Sequence, residues 1–492
     1  MENYGDLVTE NTLLKEQINL LKSQLFKATQ ELEFLQRQLF GRKSERYIPV
    51  DEAQLTLSLE GIDLKELPGQ IEEIKYQRKK PAADKKQPVR LELPVHLRRE
   101  EKVIVPETDL TGAKKIGEVV TEVLEYTPGE LYVKKYIRHK YVLPADQGIV
   151  IGELPSQPLP KANAGASLLS HIIISKFVDH LPFYRQVQQF KRQGVTIAES
   201  TISGWFNGVG DLLEPLYEKL KERILECDYL QTDETPIQVK DPLKPGKTHK
   251  GYYWVYHSPI EKLVCFDYQK GRSRAGPTAF LKDFKGVIQV DGYKAYDIFD
   301  DTSQTRLLGC IAHARRKFEQ SLNNKKELAE YVLKKFQQLY LIERQAAVMS
   351  YDQRKQLREE QAVPILKELR DWLEEKYKEA LPKSKIALAL SYSLNSWERL
   401  IRYLEDGRYE IDNNWVENAI RPVAIGRKNY LFAGSHDAAR RAAIIYSLLN
   451  TCKKNNINPA TWLQNVLNRI TDYPVNQLEN LLPNIRGENN PG

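Results

Sequence analysis

A chain of 492 residues is too long for one hydrophobic core, so several domains are expected. Its 28% charged and 41% hydrophobic residues are those of an ordinary globular protein, and the net charge of +7 is modest. The four cysteines (Cys227, Cys265, Cys310, Cys452) form no CxxC pair, which excludes reading a zinc ribbon or a disulfide framework from them. No apolar stretch approaches bilayer length and no signal-peptide pattern opens the chain, so a cytoplasmic protein with reduced thiols is expected.

The N-terminus carries a heptad pattern. Tyr4, Asn11, Ile18, Leu25, Leu32 and Leu39 fall at a, and Leu7, Leu14, Leu21, Ala28 and Leu35 at d. This predicts a coiled-coil helix within residues 1–45, roughly 54 Å long over residues 4–39. Asn11 at an a position is the residue type that fixes a parallel two-stranded register, and Glu10 with Lys15 has the spacing of an interchain ion pair, so a homodimer through residues 4–39 is expected. The alternative is one amphipathic helix packed on its own domain.

Residues 46–90 read as a basic linker. From Lys75 to Arg90 there are seven basic residues against one acid, Asp84, a run that suits a solvated tether and also suits a phosphate backbone. Residues 91–145 form a small β-rich module of short runs such as KVIV, EVVTEVLEY and LYVKKYIRHKYVL.

Helical periodicity then dominates residues 160–225 in three segments: SLLSHIIISKFV, LPFYRQVQQFKRQ and IAESTISGWFNGV. Thr196 and Glu199 have the spacing of a capping box. Ala198, Ile202, Trp205 and Phe206 would form a buried stripe, leaving Ser200, Ser203 and Asn207 exposed. That is the layout of a helix-turn-helix with Ser200 and Ser203 on the DNA face. A plain helical bundle fits the same pattern, and small polar side chains weaken the case for tight base readout.

From residue 226 to about 450 the order is YLQTDET, GYYWVYHS and KLVCFDYQ, then helical TAFLKDF, then GVIQVDGY. This β-β-β-α-β opening is that of a ribonuclease-H-like sheet, here interrupted by a charged helical insertion at about 319–404. Residues 451–492 read as a C-terminal helix and a loose polar tail after Tyr473. The fold class expected is thus multidomain α+β.

Three acidic residues stand in distinctive strings: Asp233 in LQTDETP, Asp291 in IQVDGYKAY and Glu417 in DNNWVENAIRP. Each has a bland reading. Asp233 can cap a turn before Pro236, Asp291 can serve a tight Asp-Gly turn, and Glu417 can complete a capping box with Asn414. Two aspartates at strand ends followed by a helical glutamate are, taken together, the carboxylate set with which a ribonuclease-H-like fold gathers divalent metal. Such clusters are costly without cations, and two ions (Mg²⁺, with Mn²⁺ able to substitute) serve in-line phosphodiester chemistry. Glu234 neighbours Asp233 on a strand and faces the other way, so Asp233 is preferred. The cations Arg421, Arg427 and Lys428, with His313 and Arg316 in CIAHARRKF, are candidate DNA-phosphate contacts, although Arg421 has the spacing to pair with Glu417.

At these strings the chain resembles the transposases of the insertion sequence 66 family. The matching stretches are LFGRKSER, TDETP, VDGYKAY, GCIAHARRKF and NNWVENAIRPVAIGRKNYLFAGS, spread over nearly the whole chain. The resemblance implies a bacterial DDE transposase with a ribonuclease-H-like catalytic domain, the catalytic and metal-binding triad carrying over onto Asp233, Asp291 and Glu417. It also implies small accessory proteins encoded by the same element. One departure concerns the cysteine-rich zinc module that follows the zipper in the family. Residues 91–145 contain no cysteine, and only His96 and His139 remain as ligands, which puts zinc in doubt and leaves a degenerate module.

The reading that follows is a DNA transposase that binds terminal inverted repeats, cuts strands with Mg²⁺ and joins the freed ends to target DNA. The alternative is a catalytically silent, transposase-derived regulator that binds DNA without cutting. No membrane partner is expected.

Overall fold

A computed structural model describes residues 129–483, apart from 138, 143–148, 152–153, 161, 242–245, 301 and 303. These all belong to one compact unit, residues 127–492. The expected coiled coil (1–45), the basic linker (46–90) and most of the β-rich module (91–145), including His96, lie outside the described residues. Of that module the structure gives strand β1 (Lys140–Val142), paired antiparallel with β2 (Ile149–Ile151), beyond the expected boundary.

Three helices follow, where helical periodicity placed them: α1 (Ala166–Phe177), α2 (Phe183–Arg192) and α3 (Glu199–Leu225). Gly194, at φ +81°, makes the left-handed turn between α2 and α3 that side chains with a Cβ resist. Ile202, Trp205 and Phe206 are buried as the stripe predicts. Two local expectations fail. The Thr196–Glu199 capping box does not form, because the helix starts on Ala198, which is exposed and gives no side-chain cap. Helix α3 also runs on for 27 residues through Pro215, because Val209, Leu213, Leu216, Leu220 and Ile224 extend its apolar stripe.

The chain then builds β3 (Tyr229–Lys240), β4 (Thr248–Ser258) and β5 (Leu263–Gln269), the short helix α4 (Ala275–Phe280), β6 (Gly286–Gln289) and β7 (Thr305–Leu308). The sheet order is β5-β4-β3-β6-β7. The β3–β4 and β4–β5 pairs are antiparallel, while β3–β6 and β6–β7 are parallel. Central β3 is therefore flanked by the strand that leads toward Asp291.

Helix α5 (Ile311–Ser321) leads into the insertion: α6 (Lys326–Ala346), α7 (Tyr351–Leu357), α8 (Val363–Glu379), α9 (Lys385–Asn395) and α10 (Trp397–Ile401). Its own core joins Phe318, Phe336, Leu369, Leu390 and Trp397 to Tyr229 and Leu308 of the sheet. Inside it, Arg358 is fully buried. Its guanidinium bonds Glu343 through two nitrogens, each at 2.8 Å, and donates to the carbonyls of Tyr403, Asp406 and Tyr409.

The chain closes with α11 (Asn414–Tyr430), α12 (His436–Lys454) and α13 (Pro459–Arg469). Leu448 and Ile445 of α12 pack in a second core with Leu220 of α3 and Phe266 of β5. The expected loose tail is not loose as far as Leu482. Leu478, Leu481 and Leu482 are buried, and Trp462 Nε1 donates to the Leu481 carbonyl at 3.0 Å. Three leucines supply apolar area that a polar-looking stretch conceals. Among the described residues, no helix is long and apolar enough to cross a membrane.

Candidate active site

Asp233 lies in the middle of β3, not in a turn, and its Oδ1 accepts the Glu234 amide at 2.8 Å. Asp291 follows the end of β6. Its Oδ1 accepts the Tyr293 amide at 2.8 Å, and Gly292 takes φ +92°, so the Asp-Gly turn is real and sets the aspartate at the strand's mouth. Glu417 stands on the first turn of α11. Asn413 is the helix cap and makes no side-chain capping bond, and the third helical position is Val416, so Glu417 is not a capping-box residue.

The three carboxylates share one electrostatic environment. Burial, first, and then the negative charges of Glu234, Asp291 and Glu417 push the Asp233 carboxyl well above the ordinary aspartate value. Among the described residues, no three His, Cys, Asp or Glu side chains stand close enough to enclose one ion. The donor chemistry nevertheless fits divalent cations. Crowded carboxylate oxygens repel until a hard ion neutralises them, and an ion that keeps waters and gains ligands from substrate phosphate needs no closed protein cage.

Glu234 is turned to another task. Its side chain is only 5% exposed and pairs with Arg272, whose Nε donates at 2.7 Å. The guanidinium carbon lies 4.1 Å from the Tyr293 ring centre, and Tyr293 Oη donates back to the Arg272 carbonyl at 2.8 Å. A chain of contacts therefore ties the neighbour of Asp233 to the turn of Asp291.

The cations divide into two groups. His313 Nε2 and Arg316 Nη2, on α5, lie 3.8 and 3.7 Å from Glu417 Oε1. Burial, the leading cause, with the charges of Arg316 and Lys317, lowers the His313 pKa against the opposing charge of Asp291. Arg421 and Lys428 are exposed on α11. Arg427, expected on a DNA phosphate, turns inward: its Nη1 donates to Thr235 Oγ1 at 3.0 Å and to the Pro236 carbonyl at 2.9 Å, fastening α11 onto β3. Ser200 is exposed and Ser203 half-buried on the first turns of α3, away from these elements in the chain.

What places the carboxylates is a buried amide network that the sequence reading passed over. Gln231 and Gln289, each two residues before an aspartate, are paired in the β3–β6 register and have no exposed surface. Gln231 Nε2 donates to Gln289 Oε1 at 2.9 Å and to the Asp412 carbonyl at 2.9 Å, while Gln231 Oε1 accepts the Val416 amide at 3.2 Å. Gln289 Nε2 donates to the carbonyls of Gly309 and Glu410. Both strands and the start of α11 are thereby locked together. Tyr392 of the insertion completes the frame, donating to the Asp291 carbonyl at 2.8 Å. The recurring glutamine before each aspartate was a signal in the sequence. Its partners, distant in the chain, were not.

Comparison with known proteins identifies the family. Residues 161–441 match the family described as "Transposase IS66 family", residues 447–484 the "IS66 C-terminal element", and residues 27–101 "Transposase C of IS166 homeodomain". Among curated relatives, the uncharacterized protein y4qI of Sinorhizobium fredii is 34% identical over 481 residues, covering 92% of this chain and 88% of its own. A second uncharacterized protein of that organism, y4jD, is 31% identical over 496 residues, covering 96% of each chain. The chain belongs to the IS66 family of transposases.

Proposed function

We propose that this transposase binds the terminal inverted repeats of its element, cuts DNA strands there and transfers them to target DNA, with Asp233, Asp291 and Glu417 holding two Mg²⁺ ions or Mn²⁺ in their place. The observation that carries the reading is the buried Asp233 carboxyl on central β3, raised by burial first and then by the charges of Glu234, Asp291 and Glu417. Asp291 at the β6 mouth and Glu417 on α11 both act electrostatically on Asp233 of β3, a convergence of negative charge that suits a shared cation. A mixed sheet in the order β5-β4-β3-β6-β7, with aspartates on β3 and after β6, supports a ribonuclease-H-like catalytic domain spanning residues 226–450 and carrying the insertion.

When bound, the metal ions supply Lewis acidity and charge neutralisation at the phosphodiester. The chain's own groups orient and clamp. Gln231 and Gln289 fix the three carboxylates. His313 and Arg316 offer donors beside Glu417, and Arg421 and Lys428 face solvent where a phosphate backbone would run. Arg427 acts from inside, by holding α11. Residues 27–101, matched to a family part described as a homeodomain, with the basic run before Arg90, form a first DNA-binding region. Residues 4–39 form the dimer contact.

The test is cleavage and joining on a labelled duplex of the element's own end in Mg²⁺. Asp233→Ala, Asp291→Ala and Glu417→Ala are each expected to lose more than about a hundredfold in rate, while end binding survives. Tight end binding without cleavage by the wild type, with accessory proteins supplied, would replace this reading with that of a silent DNA-binding regulator.

A further inference from the structure

The sequence pointed to Ser200 and Ser203 as the DNA face of the helical region. The structure presents a better one. Helix α2 buries Phe183, Gln186 and Phe190 and exposes Tyr184, Arg185, Gln188, Lys191 and Arg192 along a single face. Three cations, an amide and a phenol stand there without a carboxylate among them. The face is rigidly presented. Gln186 has no exposed surface, and its Nε2 donates to the carbonyls of Ile172 at 3.2 Å and Leu181 at 3.0 Å, while Phe183 lies 5.8 Å from Phe206 of α3. On the exposed side, Arg185 Nε donates to Tyr184 Oη at 2.9 Å.

We infer that α2 is the base-reading helix of this region, entering the major groove of duplex DNA with Arg185 and Gln188 on base edges and Lys191 and Arg192 on phosphates. The inference rests on the DNA-end binding proposed above. Arginine and glutamine are the side chains that make paired bonds to guanine and adenine edges, and α2 is the second helix of the α1–α2 pair, the place a recognition helix takes. Lys191 and Arg192 also suit the negative end of the helix dipole. Arg185 does not: a cation in the first turn opposes the dipole, so helix stability gives no reason for it there. By contrast, the first turn of α3 opens with exposed Glu199 beside Ser200, a negative charge that a phosphate backbone would meet.

The experiment uses the full chain and two duplexes of equal length: one carries the terminal repeat that flanks this gene, the other its scrambled sequence. Affinity is read by fluorescence anisotropy across a salt series. Arg185→Ala, Arg185→Lys and Gln188→Ala are expected to lose roughly tenfold or more on the repeat and little on the scrambled duplex, because each removes a base contact. Lys191→Ala and Arg192→Ala should weaken both duplexes alike and lower the salt slope by about one each. Ser200→Ala and Ser203→Ala should bind as wild type. All substituted positions except Ser203 are exposed, and circular dichroism with a thermal melt checks that each variant folds. If the wild type prefers the repeat but the Arg185 and Gln188 variants keep that preference, the α2 assignment falls while end binding stands. An equal loss on both duplexes also overturns it. A wild type without preference removes the end-binding reading itself.

Discussion

A primary amide buried without partners destabilises a fold by about 1–3 kcal/mol for each group left unsatisfied, so Gln231 and Gln289 are tolerable only because their donors and acceptors are all occupied. Replacing Gln231 with Leu would remove the side-chain donor to the Asp412 carbonyl and one of the two acceptors of the Val416 amide, which also bonds the Asn413 carbonyl, at the start of the helix that carries Glu417. We expect Gln231→Leu and Gln289→Leu to lower kcat about tenfold to a hundredfold, since small displacements of reacting groups carry penalties of that size. KM for the end duplex should stay within about threefold. An equal fall in DNA affinity would mean that the network supports the whole domain rather than the site. The raised Asp233 carboxyl has a pH consequence with a definite sign. Metal binding needs the ionised form, and burial and neighbouring carboxylates favour the protonated one. The apparent Mg²⁺ affinity should therefore rise with pH beyond the range in which an ordinary aspartate titrates; cleavage measured against Mg²⁺ concentration from pH 5.5 to 8 would reveal it. The preference for Asp233 over Glu234 came from adjacent strand residues facing opposite ways, and it is compatible with the pairing of Glu234 with Arg272. Arg427 was not legible, since nothing in its local string says that its partner is Thr235.

At the level of elements, the sequence order of three strands, a short helix and a fourth strand is the order found, because alternation of apolar residues within strands is a local signal. Ends were read less well. The Thr196 capping box failed because packing of Ile202 and Trp205 sets where α3 begins, and tertiary burial outweighs a single cap. The insertion's internal arrangement was beyond reach, since Arg358 looks like any surface arginine in a charged helix. Its buried pairing with Glu343 holds the latter's carboxyl below the ordinary glutamate value against the opposing effect of burial. Arg358→Met should destabilise by about 1–3 kcal/mol, because the carbonyls of Tyr403, Asp406 and Tyr409 lose their donor and Glu343 keeps only Arg354, at 2.8 Å, as its cation. Denaturant unfolding at pH 7 measures this. A group with a depressed folded pKa stabilises above its unfolded pKa and loses that contribution as pH falls through the folded value, so the difference between wild type and variant should shrink in acid. A pH-independent gap would show that packing alone is responsible.

For the whole molecule, Asp233, Asp291 and Glu417 come from elements far apart in the chain, and only assembly of the sheet and α11 brings Asp291 and Glu417 within electrostatic reach of Asp233. Sequence spacing could not supply the contacts of Gln231 with Asp412 and Val416 that join β3 to α11. The heptads of residues 4–39 bear on a separate property, the pairing of two chains. Leu14→Asp with Leu21→Asp should convert a dimer to a monomer in sedimentation analysis and abolish joined products from paired ends, with thermal unfolding of the catalytic unit unchanged. A dimer that persists in this double variant would locate the contact elsewhere.

The hydroxyl of Tyr392 on the backbone of Asp291 limits how this enzyme can be remodelled. An inserted set of helices is usually treated as removable cargo, to be trimmed, lengthened or exchanged between homologues. Here one of those helices supports the peptide that carries a metal-site candidate, and the space above Gly292 is filled by the same tyrosine ring. A chimera that swaps the insertion wholesale would remain compatible only if the donor brings a phenol to that point, whereas grafts confined to the far surface of α7 and α8 leave the support in place.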